Sequence, residues 1–438
     1  MVVRPSAFAA GPPNAAATPG RWMGVGVSGA ADAGPAAAAA DAAGQALAGR
    51  DAALLVVSGD AGQDPAELAA GVGAVAPGTP MIGGNVGGEL CRGGSSTGRV
   101  LVVAFGGEGF TVATGCGQAS AAGPAEAAEQ AAGCLARLED RPHQVLLMLS
   151  DATIGDQQEV LRGAYRTAGA GVPLVGGVCP IPAGAGSGWQ LHDGRVVRGT
   201  VVAAALGSTD PFGIGVGHGW QPVGEPMLVT ASSGNEVHEL DDQPALARYL
   251  QHLPGRRLGS SWSAAGDVGM GEFAAAAFVR AAALHPLGLR RRHGALIRSV
   301  VRAEPGSGSL VCAAEVPQGA LVWLMQGSVA SVLAGMDQAC EQALAAVGAV
   351  GSAGTVGLLA FDCIARQRIL VTEQHRRVGD GGSAGGGPGT GGVQQEAARF
   401  AVHAGGAPFA GVYTAGEIAR VQGLSGFHNK TVAVLAVG

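Results

Sequence analysis

Three uninterrupted apolar runs, each ending in a small or acidic residue, punctuate this chain: LLVVSGD (54–60), LLMLSD (146–151) and GLLAFDC (357–363). Apolar residues on consecutive rather than alternate positions mark strands covered on both faces. Each run leads through a helical stretch to an x-Pro-apolar-apolar-Gly strand start: TPMIGG (79–84), VPLVGG (172–177) and APFAG (407–411). The units read as β-α-β repeats, whose strands pair in parallel through a right-handed crossover. The first and third copies agree further, since Pro80, Gly83 and Gly88-Glu89-Leu90 match Pro408, Gly411 and Gly416-Glu417-Ile418 in position. Ligands in such sheets sit beyond the carboxyl ends of strands. That singles out Ser58 to Asp60, Ser150 with Asp151, and Asp362 with Cys363.

The pattern also predicts helices over Pro35–Ala48, Asp64–Val75, Ala125–Leu138, Gln157–Ala168, Gln243–His252 and Ser328–Val347. Strands are expected at Met23–Val27, Arg99–Phe105, Phe110–Gly115, Thr200–Leu206 and Ala320–Met325, with an Asp-Gly hairpin at His192–Arg195. Residues 254–295 give no clear pattern. The expectation is an α/β protein with mixed sheets of repeated β-α-β units, in two related halves that meet near Gly219–Pro222. Residues 378–392, nearly all Gly, Ser, Ala and Pro, read as a flexible insertion. Residues 1–21 read as a disordered tail, with a plastid transit peptide as the alternative.

Composition narrows the function classes. The 438 residues are 47% apolar, 14% charged and 4% aromatic, enough to fold and enough for two or three domains. The 77 glycines follow no collagen period. The Ala, Gly and Arg excess reads as coding bias rather than a physical demand; lysine occurs once, at Lys430. With a net charge of −6 and few aromatics, nucleic acid is not an expected partner. The run Arg290-Arg291-Arg292 reads as a solvated loop. Seven scattered cysteines without a CxxC suggest a reduced, cytoplasmic chain with no zinc site. Gln318–Met336 breaks at a Gln-Gly turn, so no membrane span is expected.

Several motifs are tempting. Gly24-x-Gly26-x-x-Gly29 matches a dinucleotide fingerprint, but its glycines overlap the strand instead of following it. Gly94-x-Ser96-x-Gly98 matches a nucleophile elbow, yet a strand follows where a helix is required. No Walker loop is present, and no cofactor or metal is expected. Cys363 could act as a nucleophile with His428 as base and Asp362 as orienter, which leaves an enzyme as one alternative. Asn235, His238 and Asp241 read as caps for the helix near Gln243.

The segments NEVHELDDQPALARYL (235–250), CIAR (363–366) and PFAGVYTAGEIARVQGLSGFHNKTVAVLAV (408–437) together resemble the FIST family of sensory domains. LLVVSGD, PMIGGNVGGEL, VPLVGGV and HDGRVV resemble its N-terminal region, and GIGVGHGWQPVG (213–224) resembles the junction between its halves. The resemblance implies an N-terminal-type domain over 22–220 and a C-terminal-type domain over 221–438. It also implies an intracellular sensor of small molecules such as amino acids. Residues 1–21 are too short for the F-box of some eukaryotic relatives, and no kinase, cyclase or methyl-accepting coil follows. Output is therefore expected through a separate, unidentified protein partner.

A small zwitterion suits these residues. Arg366 would grip a carboxylate bidentately. Glu417, Glu89 or Asp362 would take the ammonium, with Cys363 beside them. Tyr413, Thr414, His428 and Asn429 would add hydrogen bonds. The competing expectation is that Arg366 and Glu417 form a structural ion pair closing the sheet. A third reading is an interaction scaffold with a vestigial pocket.

Overall fold

Each apolar run forms half of a parallel strand pair at the centre of its own sheet. The computed structural model describes residues 20–438 apart from 29–33, 93, 97, 139–140, 183, 185, 255–271, 292–293, 349–353, 380–390 and 421–425. The tail, save Gly20 and Arg21, and most of the 378–392 stretch lie outside the described residues. The first unit comprises β1 (Trp22–Val27), α1 (Pro35–Leu47), β2 (Leu54–Asp60), α2 (Pro65–Val75), β3 (Met81–Val86), the hairpin β4 (Glu89–Cys91) and β5 (Gly94–Ser96), and β6 (Val100–Gly106). The second repeats that order with β7 (Phe110–Gln118), α3 (Pro124–Ala132), β8 (His143–Asp151), α4 (Gln157–Ala168) and β9 (Leu174–Cys179). It closes with the hairpin β10 (Gln190–His192) and β11 (Arg195–Val197), then β12 (Thr200–Ser208).

The third unit starts with β13 (Phe212–Gly217) and is then interrupted by a separate antiparallel sheet. That sheet carries β14 (Gln221–Ser233), β15 (Glu236–Leu240), β16 (Gln243–Pro244), α5 (Ala245–His252) and α6 (Glu272–Leu284). Its remaining strands are β17 (Leu287–Arg291), β18 (Gly294–Arg298), β19 (Val300–Glu304), β20 (Ser309–Cys312) and β21 (Leu321–Gln326). It has its own core, including Met227, Val229, Tyr249, Phe278, Leu287 and Leu324. Unit three resumes with α7 (Val329–Gly348), β22 (Gly357–Cys363), α8 (Ile364–Gly379), α9 (Gly392–Ala404) and β23 (Phe409–Thr414). The hairpin β24 (Glu417–Arg420) and β25 (Phe427–His428) and the strand β26 (Val432–Val437) complete it. The α/β class and mixed sheets are as expected, and within the two halves the repeat runs three times. The Arg290-Arg291 end of the basic run is the exposed end of the hairpin strand β17 rather than a loop.

In every unit the first strand, the last strand and the parallel pair lie in the same order: β1-β6-β2-β3, β7-β12-β8-β9 and β13-β26-β22-β23. The hairpins do not stay at home. The β4–β5 hairpin of unit one adds to β23 of unit three, β24–β25 of unit three adds to β9 of unit two, and β10–β11 of unit two adds to β3 of unit one. Three exchanges close a ring. An uncovered third strand would be an open pairing edge, and each unit covers the edge of another.

The inner faces of all three sheets meet in one core that includes Leu54, Val56, Phe105, Leu147, Leu206, Leu359, Phe361 and Leu435. Their outer faces are covered by helices: α1 and α2 on the first, α3 and α4 on the second, α7 and α9 on the third. Burial on both faces is the physical reason for the uninterrupted apolar runs.

Much of the glycine is a packing demand, contrary to the coding-bias reading. A Cβ at Gly24 or Gly26 of β1 would lie 1.9 Å from the carbonyl oxygens of Ala46 and Ala42 in α1. The same approach recurs for Gly115 and Gly117 of β7 against Ala131 and Ala127 of α3, at 2.1 and 1.8 Å. It recurs again for Gly213 and Gly215 of β13 against Ala343 and Ala339 of α7, at 2.0 and 1.9 Å. The first two glycines of the apparent dinucleotide fingerprint are thus a seat for a helix backbone, built three times, while Gly29 lies outside the described residues. Overpacking by added methyl groups costs roughly 1–3 kcal/mol where side chains can shift, and backbone cannot shift as readily. Gly117→Ala and Gly215→Ala should each lower the unfolding free energy, measured by denaturant titration, by at least that amount. Gly44→Ala, in α1 with open space around it, should stabilise by about 0.5–1 kcal/mol; equal midpoints for all three would sink the packing account.

Candidate functional site

β22 passes into α8 without a loop, which sets Asp362 at the strand end and Arg366 in the first helical turn. The Arg366 guanidinium is fully buried and donates from Nε to Asp362 Oδ1 at 2.6 Å, from Nη2 to Glu396 Oε1 at 2.9 Å and from Nη1 to the His218 carbonyl at 2.9 Å. Tyr413 donates its hydroxyl to the other Glu396 oxygen at 2.7 Å. The cluster fastens β22, α8, α9, β23 and the chain leaving β13 together. Burial opposes the Arg366 charge, but Asp362 and Glu396 outweigh it and hold the guanidinium above its ordinary value. Burial, then the neighbouring Asp362, pushes the Glu396 carboxyl well up. The expected Arg366–Glu417 ion pair does not form, because Arg366 finds Asp362 one turn away and Glu396 on the facing helix. No motif flagged Glu396.

Glu417 instead belongs to a second buried cluster. Its Oε2 accepts from the Thr431 backbone at 3.1 Å and the Thr431 hydroxyl at 2.7 Å, and its Oε1 accepts from Thr414 at 3.4 Å. Burial raises its pKa to about 8. Cys363 is fully buried and its thiol is pushed far up by burial, then by Glu417. Lys430, with a left-handed backbone at φ 57°, places its ammonium against the Ala283 carbonyl at 2.6 Å, and burial lowers it to about 8. Its charge is felt by Cys363 and Glu417, and its own carbonyl accepts from the Trp220 indole at 2.8 Å. His428 is buried, held near a pKa of 4 by desolvation, with Nε2 on the Ala419 carbonyl at 3.1 Å. Oδ1 of Asn429 is buried without a hydrogen-bond partner, while the Asp362 carboxylate shares the proton that burial holds on Glu396.

The threefold repeat shows what Glu417 does structurally. Hairpin residues Gln190, Glu417 and Glu89 face corresponding positions of the host strands, Gly84, Gly177 and Val412. Residues Thr200, Thr431 and Arg99 occupy a second equivalent set at the start of the return strand, where the next residue pairs with Ser150, Asp362 or Gly59. Thr200 donates to Gln190 at 3.0 Å as Thr431 does to Glu417. At the first junction the hydroxyl is replaced by Arg99, and both oxygens of the buried Glu89 lack a partner. Burial raises Glu89 to about 8.

Other sequence expectations land elsewhere. Asn235 donates to the Cys312 carbonyl, Asp241 accepts from the Leu228 backbone and from Arg248, and His238 lies near Glu236. None caps α5, which starts after Pro244 without a side-chain cap. The proposed Cys363 nucleophile is a protonated thiol, and His428 directs Nε2 to a backbone carbonyl.

Among known proteins, the FIST N domain matches residues 51–243 and the FIST C domain matches residues 245–420. An uncharacterised protein of Methanocaldococcus jannaschii is 31% identical over 103 residues, 24% of this chain and 20% of the relative, so the chain spans about a fifth of that protein.

Removing Arg366 would leave two buried carboxyls uncompensated, a loss of roughly 3–5 kcal/mol. Arg366→Ala should therefore unfold at markedly lower denaturant, and an unchanged midpoint would show that the cluster does not hold the fold. Glu89 behaves differently. Its folded-state pKa of about 8 exceeds the ordinary 4.5, so the unfolded chain sheds the proton first. The folded protein then loses stability as pH rises from 4.5 towards 8. Glu89→Gln removes that loss: at pH 8 it should be more stable than wild type by at least about 1.4 kcal/mol, the worth of one pKa unit. At pH 4.5 the two should unfold together.

Proposed function

The chain belongs to the FIST family, and from that premise we propose that it is a small-ligand sensor whose site lies at the carboxyl ends of β22 and β23, with amino acids as the ligand class. FIST domains are associated with small-ligand sensing in signal transduction. The observation that carries the reading is the leftover polar capacity around Cys363 and Glu417, where Asn429 Oδ1 is buried and unpaired. A buried acceptor without a donor costs about 1–3 kcal/mol. A ligand ammonium supplies the missing donor, and the carboxyl end of a parallel strand pair is where α/β sheets receive ligands.

This reading redistributes roles within the set chosen from sequence. Arg366 is occupied by three protein acceptors, so the carboxylate of the ligand falls to Lys430, whose charge reaches both Glu417 and Cys363. Asp362 and Glu417 face the ammonium, and Asn429 and Thr414 complete the polar wall. Binding here would act on the joint between unit three and its exported hairpin, because Glu417 opens β24. Turnover through Cys363 is disfavoured by the raised thiol pKa, since the thiolate is the reactive form. None of the seven cysteines forms a disulfide, which suits a reducing compartment, and no helix among the described residues is long and apolar enough to cross a membrane.

A thermal-shift screen of the full chain against the twenty amino acids tests the assignment, run beside Lys430→Met and Asp362→Asn. A ligand at a hundred times its Kd adds about 2.7 kcal/mol of stability, which moves the midpoint by several degrees. The expected result is at least one amino acid that shifts wild type and neither variant. Shifts that persist in both variants would remove the site from unit three. No shift with any amino acid would overturn the ligand class.

A further inference from the structure

An open cavity of about 690 Å³ lies between the first and third units. Its walls come from β1 and Ser28, the end of α1, β4 with Arg92, Arg99, and the chain entering β23. Three arginines line it, Arg50, Arg92 and Arg99, and among the described residues no acidic side chain does. That is unexpected on a chain with net charge −6. Arg50 is pre-oriented, its guanidinium 3.8 Å from the Trp22 ring centre. Neither Arg92 nor Arg99 makes an ion pair or a side-chain hydrogen bond among the described residues.

The repeat supplies a second, independent observation. Two of the three junctions are closed by a threonine hydroxyl on the hairpin side chain, Thr200 to Gln190 and Thr431 to Glu417. At the junction beside this cavity the threonine is replaced by Arg99, and Glu89 behind it is buried with both oxygens unpartnered. Glu89 and the cavity residue Cys91 project from the same face of β4, two positions apart, or roughly 7 Å. Arg99 acts electrostatically on both. Glu89 and the Asp60 that acts on it lie outside the cavity lining. Among the described residues the arginines therefore line a concavity with no acidic side chain in it.

We propose that this cavity is a binding site for a small polyanion bearing two or more oxyanion groups, gripped by Arg92 and Arg99 with Arg50 at the rim. Guanidinium forks suit phosphate and carboxylate alike, giving paired, directed hydrogen bonds. The volume falls within the roughly 300–1,000 Å³ of small-molecule sites. The ligand would bridge β1 and α1 of unit one to β4 and β23 in the sheet of unit three. It would tie the exchanged hairpin to the sheet that hosts it and to the unit it came from. The site is separate from the amino-acid site, sharing no side chain with it.

Isothermal titration of the full chain tests this, with pyrophosphate and citrate as probes and sodium chloride at matched ionic strength as the control. Saturable binding of at least one probe is expected, weakened tenfold or more in Arg99→Gln and in Arg92→Gln. Arg302→Gln, which breaks an exposed pair with Glu304 on the inserted sheet, should bind as wild type does. Tighter binding of pyrophosphate would identify a phosphate-bearing ligand, and tighter binding of citrate a polycarboxylate. Arg92 is exposed, so Arg92→Gln keeps the test valid if Arg99→Gln folds poorly. Heats no larger than those of sodium chloride, or equal affinity in wild type and Arg92→Gln, would overturn the proposal. Amino-acid shifts lost in Lys430→Met should survive in Arg92→Gln, so the two sites stand or fall separately.

Discussion

The exchange of hairpins is the constraint on which the rest of the structure depends. Each sheet ends in a third strand with one open edge, and each open edge is closed by a hairpin from another unit. Backbone hydrogen bonds and the polar residue at the start of each hairpin are therefore made between units rather than within them. A buried Gln or Glu at such a joint must find a partner. At two joints a threonine at the start of the return strand supplies one from the same unit. The two interior clusters of unit three hang on the same arrangement. Glu417 heads an exported hairpin, while Arg366 locks the helix that follows the central strand.

Small residues make this interlock possible. Three sheets around one core, each carrying helices on its outer face, bring helix and strand backbones into near contact. The Gly-x-Gly positions of β1, β7 and β13 and the alanine faces of α1, α3 and α7 are the two sides of that contact. Large side chains concentrate where the sheets face one another, as with Phe105, Phe110 and Phe361. A composition that looks merely biased is in these positions a close-packing solution.

The β-α-β repeats were legible because their signal is local: a continuous apolar run, a helix, and a proline before the next strand. The helix over Gln157–Ala168 agrees with the sequence pattern to the residue. The exchange was not legible. Hairpin strands such as Glu89–Cys91 and Gln190–His192 have three residues each, too few for any alternation, and pairing partners far along the chain leave no local trace. The polar cluster was half legible. Asp362, Arg366, Tyr413 and Glu417 stand in compact motifs, but the motif could not say which acid faces which base. Glu396 sits in α9 among glutamines and alanines with nothing to mark it. Lys430 was marked by composition alone, as the one lysine in a chain that otherwise uses arginine.

The ring also dictates an order of events during synthesis. The first hairpin leaves the ribosome early, yet Leu90 pairs with Gly411, which is made more than three hundred residues later. Until then the hairpin has no host sheet, and β9 likewise waits for β24. Only the first sheet, completed by β10 and β11, can close before the C-terminal half is made. A nascent chain of this kind carries unpaired strand edges through most of translation, the condition under which chains cross-pair. Its hairpins, borrowed by a neighbouring unit in the finished ring, could as readily be borrowed by a second chain. Growing polypeptides crowded on one messenger would then be at risk of dimerising by reciprocal exchange.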